Sequence, residues 1–188
     1  MKIKMKWIVL ALLSSLMTGC VVAMVASASS LMVYDRRSVR MIEKDVRIFH
    51  VVHTAIVTDP NFKGSRVKVS VYQQAVLLLG QVNATSLKSL AEEVAQTTPN
   101  VRRVYNKLTI ESPIDIEQQS TDAWITSQVR SRMLTKKDLE SGSIQINTEN
   151  GVVYLTGVVT PDQADLAVSA ARKVNGVRQV VKMFQYIR

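Results

Sequence analysis

Apolar positions along the chain switch between two periods, and they do so twice. In the second half, Ile125, Val129 and Met133 recur at the spacing of one helix face, with Thr121 or Asp122 as the residue that caps its start. The stretch SIQINTENGVVYLTGVV that follows alternates apolar and polar residues on both sides of Asn150-Gly151, the strongest short signal for a two-residue hairpin. A second helix is predicted over 163–174, with Ala164, Ala167, Val168 and Ala171 on one face. A closing strand follows over 177–187.

The first half has the same order. VLLLGQVN at Val76 to Asn83 matches VYLTGVVT at Val153 to Thr160, and Gly157 stands 77 residues after Gly80. The same offset pairs Val67 with Ile144, Val69 with Ile146, Val52 with Val129 and Ile48 with Ile125. No gap is needed until after the second helix, where one residue must be skipped to align TTPNVRRV at Thr97 with VNGVRQV at Val174. In the first copy Leu87, Leu90, Ala91 and Val94 take the second-helix core positions, Val101 to Ile110 form the last strand, and Gln73-Gln74 replaces the hairpin dipeptide, so that turn is less strongly marked.

Helix, strand, strand, helix, strand predicts an α+β fold. It is built of two tandem α-β-β-α-β modules, each a three-stranded mixed sheet covered on one face by two helices. A helix separates the last two strands, so the third is expected to run parallel to a hairpin strand. Gly80 and Gly157 are read as ending the second strand, where a side chain would crowd the crossing or demand a disallowed dihedral. Modules of about 70 residues have small cores, so the two copies should lean on each other or on a membrane.

Ahead of the modules, MKIKMKWIVLALLSSLMTGC has a basic start, an apolar run and a small-residue end, the layout of an export signal. The formal charge is +9. Without the three lysines of that start the remainder still carries an excess of +6, which favours anionic partners. No charge appears from Trp7 to Tyr34, a run that could also span a bilayer uncleaved, but its serines make a poor spanning helix. Leu16-Met17-Thr18-Gly19-Cys20 resembles a lipobox, with Met17 where the pattern prefers Leu. That resemblance implies cleavage before Cys20 and attachment of a diacylglyceryl group to its thiol. Val21 is not the Asp that retains enteric-type lipoproteins in the inner membrane, so outer-membrane sorting is implied, with the protein facing the periplasm. The expected organisation is a leader over 1–19, the lipidated cysteine and tether over 20–38, a first module over 39–110, a linker over 111–120 and a second module over 121–188.

Helix, alternating strand, apolar strand with Gly-x-Val, alanine-rich helix and closing strand together resemble the BON domain. Two of them behind a lipobox resemble the dual-BON outer-membrane lipoproteins over essentially the whole chain. The best matches are Tyr34-Asp35-Arg36-Arg37-Ser38, Asp122-Ala123-Trp124-Ile125-Thr126 and Thr148-Glu149-Asn150-Gly151. The resemblance implies a non-enzymatic protein that binds anionic phospholipid through its second module and supports envelope integrity and the division site.

The residues themselves also suggest a lipid surface. With Trp124 at zero on a wheel of about 100° per residue, Ile125, Val129 and Met133 fall near 100°, 140° and 180° and face the core. Trp124, Ser127, Ser131 and Leu134 form a second, outward patch, flanked by Arg130 and Arg132, with Lys136 and Lys137 just beyond. An exposed indole among cations is what an interfacial phospholipid site needs, so the candidate set is Trp124, Ser127, Arg130, Ser131, Leu134 and Lys137. At the same offset the first module has Arg47, His50, Thr54 and Val57, which puts the wedge in one module only. The alternative is that Trp124 packs against the linker or the first module.

Other chemistries find little support. His50 and His53 stand three apart on a helix with no third ligand at compatible spacing, so no metal and no cofactor is expected. Acidic residues are read as solvated, and no phosphate loop, nucleophile elbow or C-x-x-C is present, so no catalytic residue is assigned. RNA-binding KH modules share the element order, but no G-x-x-G loop occurs, and no nucleic-acid partner is expected. The acidic linker contains the breaker Pro113, and Ile114 and Ile116 alternate with polar residues, so it should lie along a module. Two functional classes remain: a lipid-surface protein, and a periplasmic adaptor for outer-membrane assembly or cell-wall proteins.

Overall fold

The sequence repeat is a repeat of structure. The computed structural model describes residues 37–187; the leader, Cys20 and the tether up to residue 36 lie outside the described residues. Helix α1 (Val39–Thr58) starts where the Ser38 hydroxyl accepts a hydrogen bond from the Met41 amide, and it buries Ile48, Val52 and Ile56. A 3-10 turn at Pro60–Phe62 leads into the antiparallel hairpin β1 (Arg66–Tyr72) and β2 (Ala75–Val82). Helix α2 (Thr85–Thr97) then returns the chain to β3 (Arg103–Asn106) and β4 (Thr109–Ile110), which both pair parallel with β2. The second module repeats the order with α3 (Ile116–Leu134), a 3-10 turn at Ser141–Ser143, β5 (Ile144–Glu149), β6 (Val152–Val159), α4 (Pro161–Arg172) and β7 (Gln179–Tyr186). β7 runs parallel to β6, as the crossover predicts.

In the first module the last strand is interrupted at Lys107-Leu108. The Asn106 side chain accepts from the Leu108 amide, and the Leu108 side chain is buried in the core. The one-residue difference between the copies also falls earlier than expected. β2 and β6 end 77 residues apart, but the helix caps Ala84 and Thr160 are 76 apart, so the extra residue sits between strand and helix.

Gly80 and Gly157 lie inside β2 and β6 and not at their ends. A Cβ at either would collide with a backbone carbonyl, that of Arg66 in β1 or that of Ser143 just before β5. Only Gly80 also has a left-handed φ, +115°.

Each hairpin is fastened by a buried helix aspartate, and for Asp122 this replaces the capping role expected from the sequence. The carboxylate of Asp45 accepts from the amides of Gln73 (2.8 Å) and Gln74 (2.7 Å). Asp122, at the matching position, accepts from Asn150 (2.6 Å) and Gly151 (2.8 Å). All four turn residues have positive φ, as the tight hairpin turn requires. Gln73 and Gln74 take that conformation against their preference, held there by Asp45, which also pairs with Arg37 at 2.7 Å. Asp122 therefore does not cap its own helix.

The helices cover one face of each sheet, and the opposite faces meet. Val76, Leu78 and Val82 join the helix-covered core of the first module, while Leu77 and Leu79 point the other way and pack with Tyr154 and Met183. Around this apolar centre the modules exchange polar contacts in a near two-fold manner. Arg66 pairs with Glu149, and at the matched positions the Tyr72 hydroxyl donates to the Ser143 carbonyl at 3.0 Å. Ser70 accepts a hydrogen bond from its own counterpart, Asn147, at 3.1 Å. Gln81 donates to Glu149 as well, at 3.0 Å. Lys68 is half-buried beside them, and that desolvation lowers its pKa from the ordinary 10.5 despite the nearby Glu149 carboxylate.

Candidate functional site: the outward face of α3

α3 begins five residues before the expected cap. Asp115 accepts from the Gln118 amide at 2.7 Å and is the N-cap, so residues 116–120 are the first turn of the helix and not an extended linker. The remaining linker is held down: the Ile114 amide donates to Gln81 at 3.2 Å, and Gln119 donates to the Ile114 carbonyl at 3.0 Å. Ile125, Val129 and Met133 are fully buried, as the wheel requires.

On the opposite side Trp124 is 50% exposed and Leu134 61% exposed, with Ser127 and Ser131 exposed between them. Trp124 belongs to none of the three apolar clusters. The longer helix adds a member that sequence reasoning placed in the linker. Ile116, 80% exposed, falls on the same arc as Leu134 and extends the stripe to nearly the whole helix, about 27 Å at 1.5 Å per residue.

Arg130 is the exception among the expected site residues. Its guanidinium turns away from the stripe and donates to the carbonyls of Ser141 and Ile144, both at 2.9 Å, tying the helix to the start of β5. Burial lowers its pKa from the ordinary 12.5. Lys136 and Lys137 are exposed just past the helix, and Arg132 is exposed in its last turn. Acidic side chains stand at the other end, Asp115 and Glu117. The helix is therefore apolar along its outward line and basic only at its C-terminal end.

The matching face of α1 carries Val39, Val46 and Val57, all exposed, with His50 and His53 beside Phe49. Among the described residues no group of three or more His, Cys, Asp or Glu side chains is placed to hold a metal. No described helix is long and apolar enough to cross a membrane.

The BON domain model matches residues 44–112 and 121–188. The chain belongs to the BON-domain family. It is 34% identical over 172 residues to the outer membrane lipoprotein DolP of Haemophilus influenzae, covering 90% of this chain and 89% of that one. A 21 kDa hemolysin of Actinobacillus pleuropneumoniae is 35% identical over 66% of this chain and 64% of its own. The osmotically-inducible protein Y of Escherichia coli is 30% identical over 72% of this chain and 69% of its own. Both matched spans coincide closely with the structural modules, and the second begins at Thr121, one turn after α3 does.

Proposed function

We propose that this BON-domain protein is a non-enzymatic outer-membrane lipoprotein, anchored at Cys20 and facing the periplasm, that docks the outward face of α3 on anionic phospholipid and supports envelope integrity. The similarity to an outer-membrane lipoprotein over nine-tenths of both chains supports the location. The observation that carries the lipid reading is the stripe of Ile116, Trp124 and Leu134, left outside every core, with Lys137, Lys136 and Arg132 at one end. Tryptophan prefers the headgroup region, leucine and isoleucine contribute apolar area below it, and the cations meet phosphates. Serines at the intervening positions cost little to bring to a hydrated interface. Flotation with liposomes tests the reading on the compact unit Arg37–Arg188. The unit should float with phosphatidylglycerol vesicles and stay behind with phosphatidylcholine vesicles. Equal behaviour with both, or flotation only after a protein is added, would replace this reading with the adaptor one.

A further inference from the structure

A small cleft of about 200 Å³ lies between the C-terminal ends of α3 and α4, lined by Arg132, Thr135, Lys136, Ser169, Ala170 and Lys173. Three cations and two hydroxyls surround it with no carboxylate, and none of the three cations forms an ion pair among the described residues. Its volume is below the roughly 300–1,000 Å³ of pockets that enclose a whole organic ligand. It suits a small anionic group whose remainder lies outside.

Cations at helix C-termini can simply answer the helix dipole. The first module shows that this fold makes no such demand. At the corresponding positions it has Ala55, Thr58, Asp59, Glu93, Val94 and Thr97, so two carboxylates stand where the second module has three cations. Neither α1 nor α2 has a basic residue in its last turn, yet both form and pack. The charge of the cleft inverts between two copies of one scaffold, which separates it from the requirements of folding.

Thr135, which lines the cleft, stands four residues and one turn after Ser131 of the outward stripe, so the cleft opens beside the C-terminal end of that stripe. We propose that it receives the phosphodiester of an anionic phospholipid headgroup, with Arg132, Lys136 and Lys173 as counter-charges and the Ser169 hydroxyl as a hydrogen-bond donor. The proposal rests on the reading of α3 as the membrane-facing helix. It adds α4 to the site: Lys173 and Ser169 lie on an element the stripe does not touch. The acyl chains would leave the cleft past Thr135 toward the outward stripe, and only the headgroup would be enclosed.

The test titrates the full chain, held in neutral-detergent micelles, with dihexanoyl phosphatidylglycerol, dihexanoyl phosphatidylcholine and inorganic phosphate, following backbone amide shifts in the second module. The wild type should bind the phosphatidylglycerol and not the phosphatidylcholine. Lys173→Gln should weaken that binding about fivefold and Arg132→Gln by a similar factor. Lys107→Gln, which removes the same charge from an exposed site on the first module, should leave it unchanged. Ser169→Ala should weaken binding less than either charge change, with the protein fully folded. If the wild type and Lys173→Gln bind phosphatidylglycerol equally while Trp124→Glu does not bind, the cleft assignment fails and the α3 reading stands. If the wild type shows no preference for the anionic lipid, both fail. Inorganic phosphate binding as tightly as the lipid, with the same loss in Lys173→Gln, would show a free-anion site and overturn the headgroup assignment.

Discussion

α1 and α3 occupy the same place in their modules and agree in everything they bury. Ile48, Val52 and Ile56 of α1 match Ile125, Val129 and Met133 of α3, and Asp45 matches Asp122 down to the two hairpin amides each one binds. Their outward faces share no residue type except in outline: both have an apolar line, but one is valine with histidine and the other is isoleucine, tryptophan and leucine with serine. Exposed valines alone are ordinary on a protein surface. An exposed tryptophan at the centre of an apolar line about 27 Å long is not required by the fold, since Arg47 serves in the other copy. The buried faces therefore report what the scaffold needs, and the difference between the outward faces reports what one module does that its twin does not.

The comparison can be strained first at its shared part. Replacing Asp45 with Ala removes the acceptor of two turn amides and one hydrogen-bonded ion pair with Arg37, at a cost of about 3 kcal/mol. Asp122→Ala should cost less, about 2 kcal/mol, because Asn150-Gly151 adopts the turn more readily than Gln73-Gln74. Chemical denaturation of both variants measures the order, and an equal or reversed order would mean that turn strain plays no part.

At the differing part, Trp124→Glu should reduce binding to anionic vesicles by more than about tenfold, with the thermal midpoint unchanged because half the side chain is already exposed. Arg47→Glu at the matching position should have only the smaller effect of a two-unit change of charge. A larger loss from Arg47→Glu than from Trp124→Glu, measured by flotation of folded protein, would move the lipid surface to the first module.

Changing Gln73-Gln74 to Asn-Gly should make the first hairpin resemble the second and stabilise the protein by about 1 kcal/mol. The gain should vanish in an Asp45→Ala background if the aspartate and the turn residues hold the same conformation.

The smallest effect is expected at the interface. Burial lowers the pKa of Lys68, so its charged form disfavours the folded state at neutral pH, and that penalty is relieved as pH rises through the lowered value toward 10.5. Lys68→Met should raise the melting temperature at neutral pH by about 2–4 °C. The gain should shrink above pH 10.5, where the lysine is neutral in both states. A gain that does not change with pH would mean that packing, not charge, is responsible.

Most of this fold was legible because it is written in periods. The helix faces, the Asn-Gly hairpin, the parallel third strand and the repeat itself are local or pairwise patterns, and each is present, with the repeat's one-residue shift lying before the second helix and Ala95 joining the buried face of α2. Asp45 and Asp122 were not legible as buried, because a carboxylate enters a core only when tertiary donors meet it, and those donors are turn amides 28 or 29 residues away. Their recurrence at matched helix positions was the available signal. The start of α3 was hidden by Pro113 and by the alternation of Ile114 and Ile116. Asp115 with Gln118 three residues on has the form of a capping box and marked the true start. Arg130 looked like a surface cation on the wheel, yet its length lets it reach the carbonyls of Ser141 and Ile144. The sheet-to-sheet contact had one sign, the unbroken apolar run Val76 to Leu79, which buries both faces of β2 where a half-exposed strand would alternate.

The chain contains two tryptophans, Trp7 and Trp124, so the unit Arg37–Arg188 has Trp124 as its sole indole. Its fluorescence therefore reports directly on the outward face of α3. Added phosphatidylglycerol vesicles should shift the emission to shorter wavelength, protect it from iodide, and allow quenching by lipids brominated near the headgroup end of the acyl chain, while phosphatidylcholine vesicles should do none of these. Emission and iodide access that stay unchanged when the protein is bound to anionic vesicles would contradict the account, because the protein would then meet the membrane through another surface.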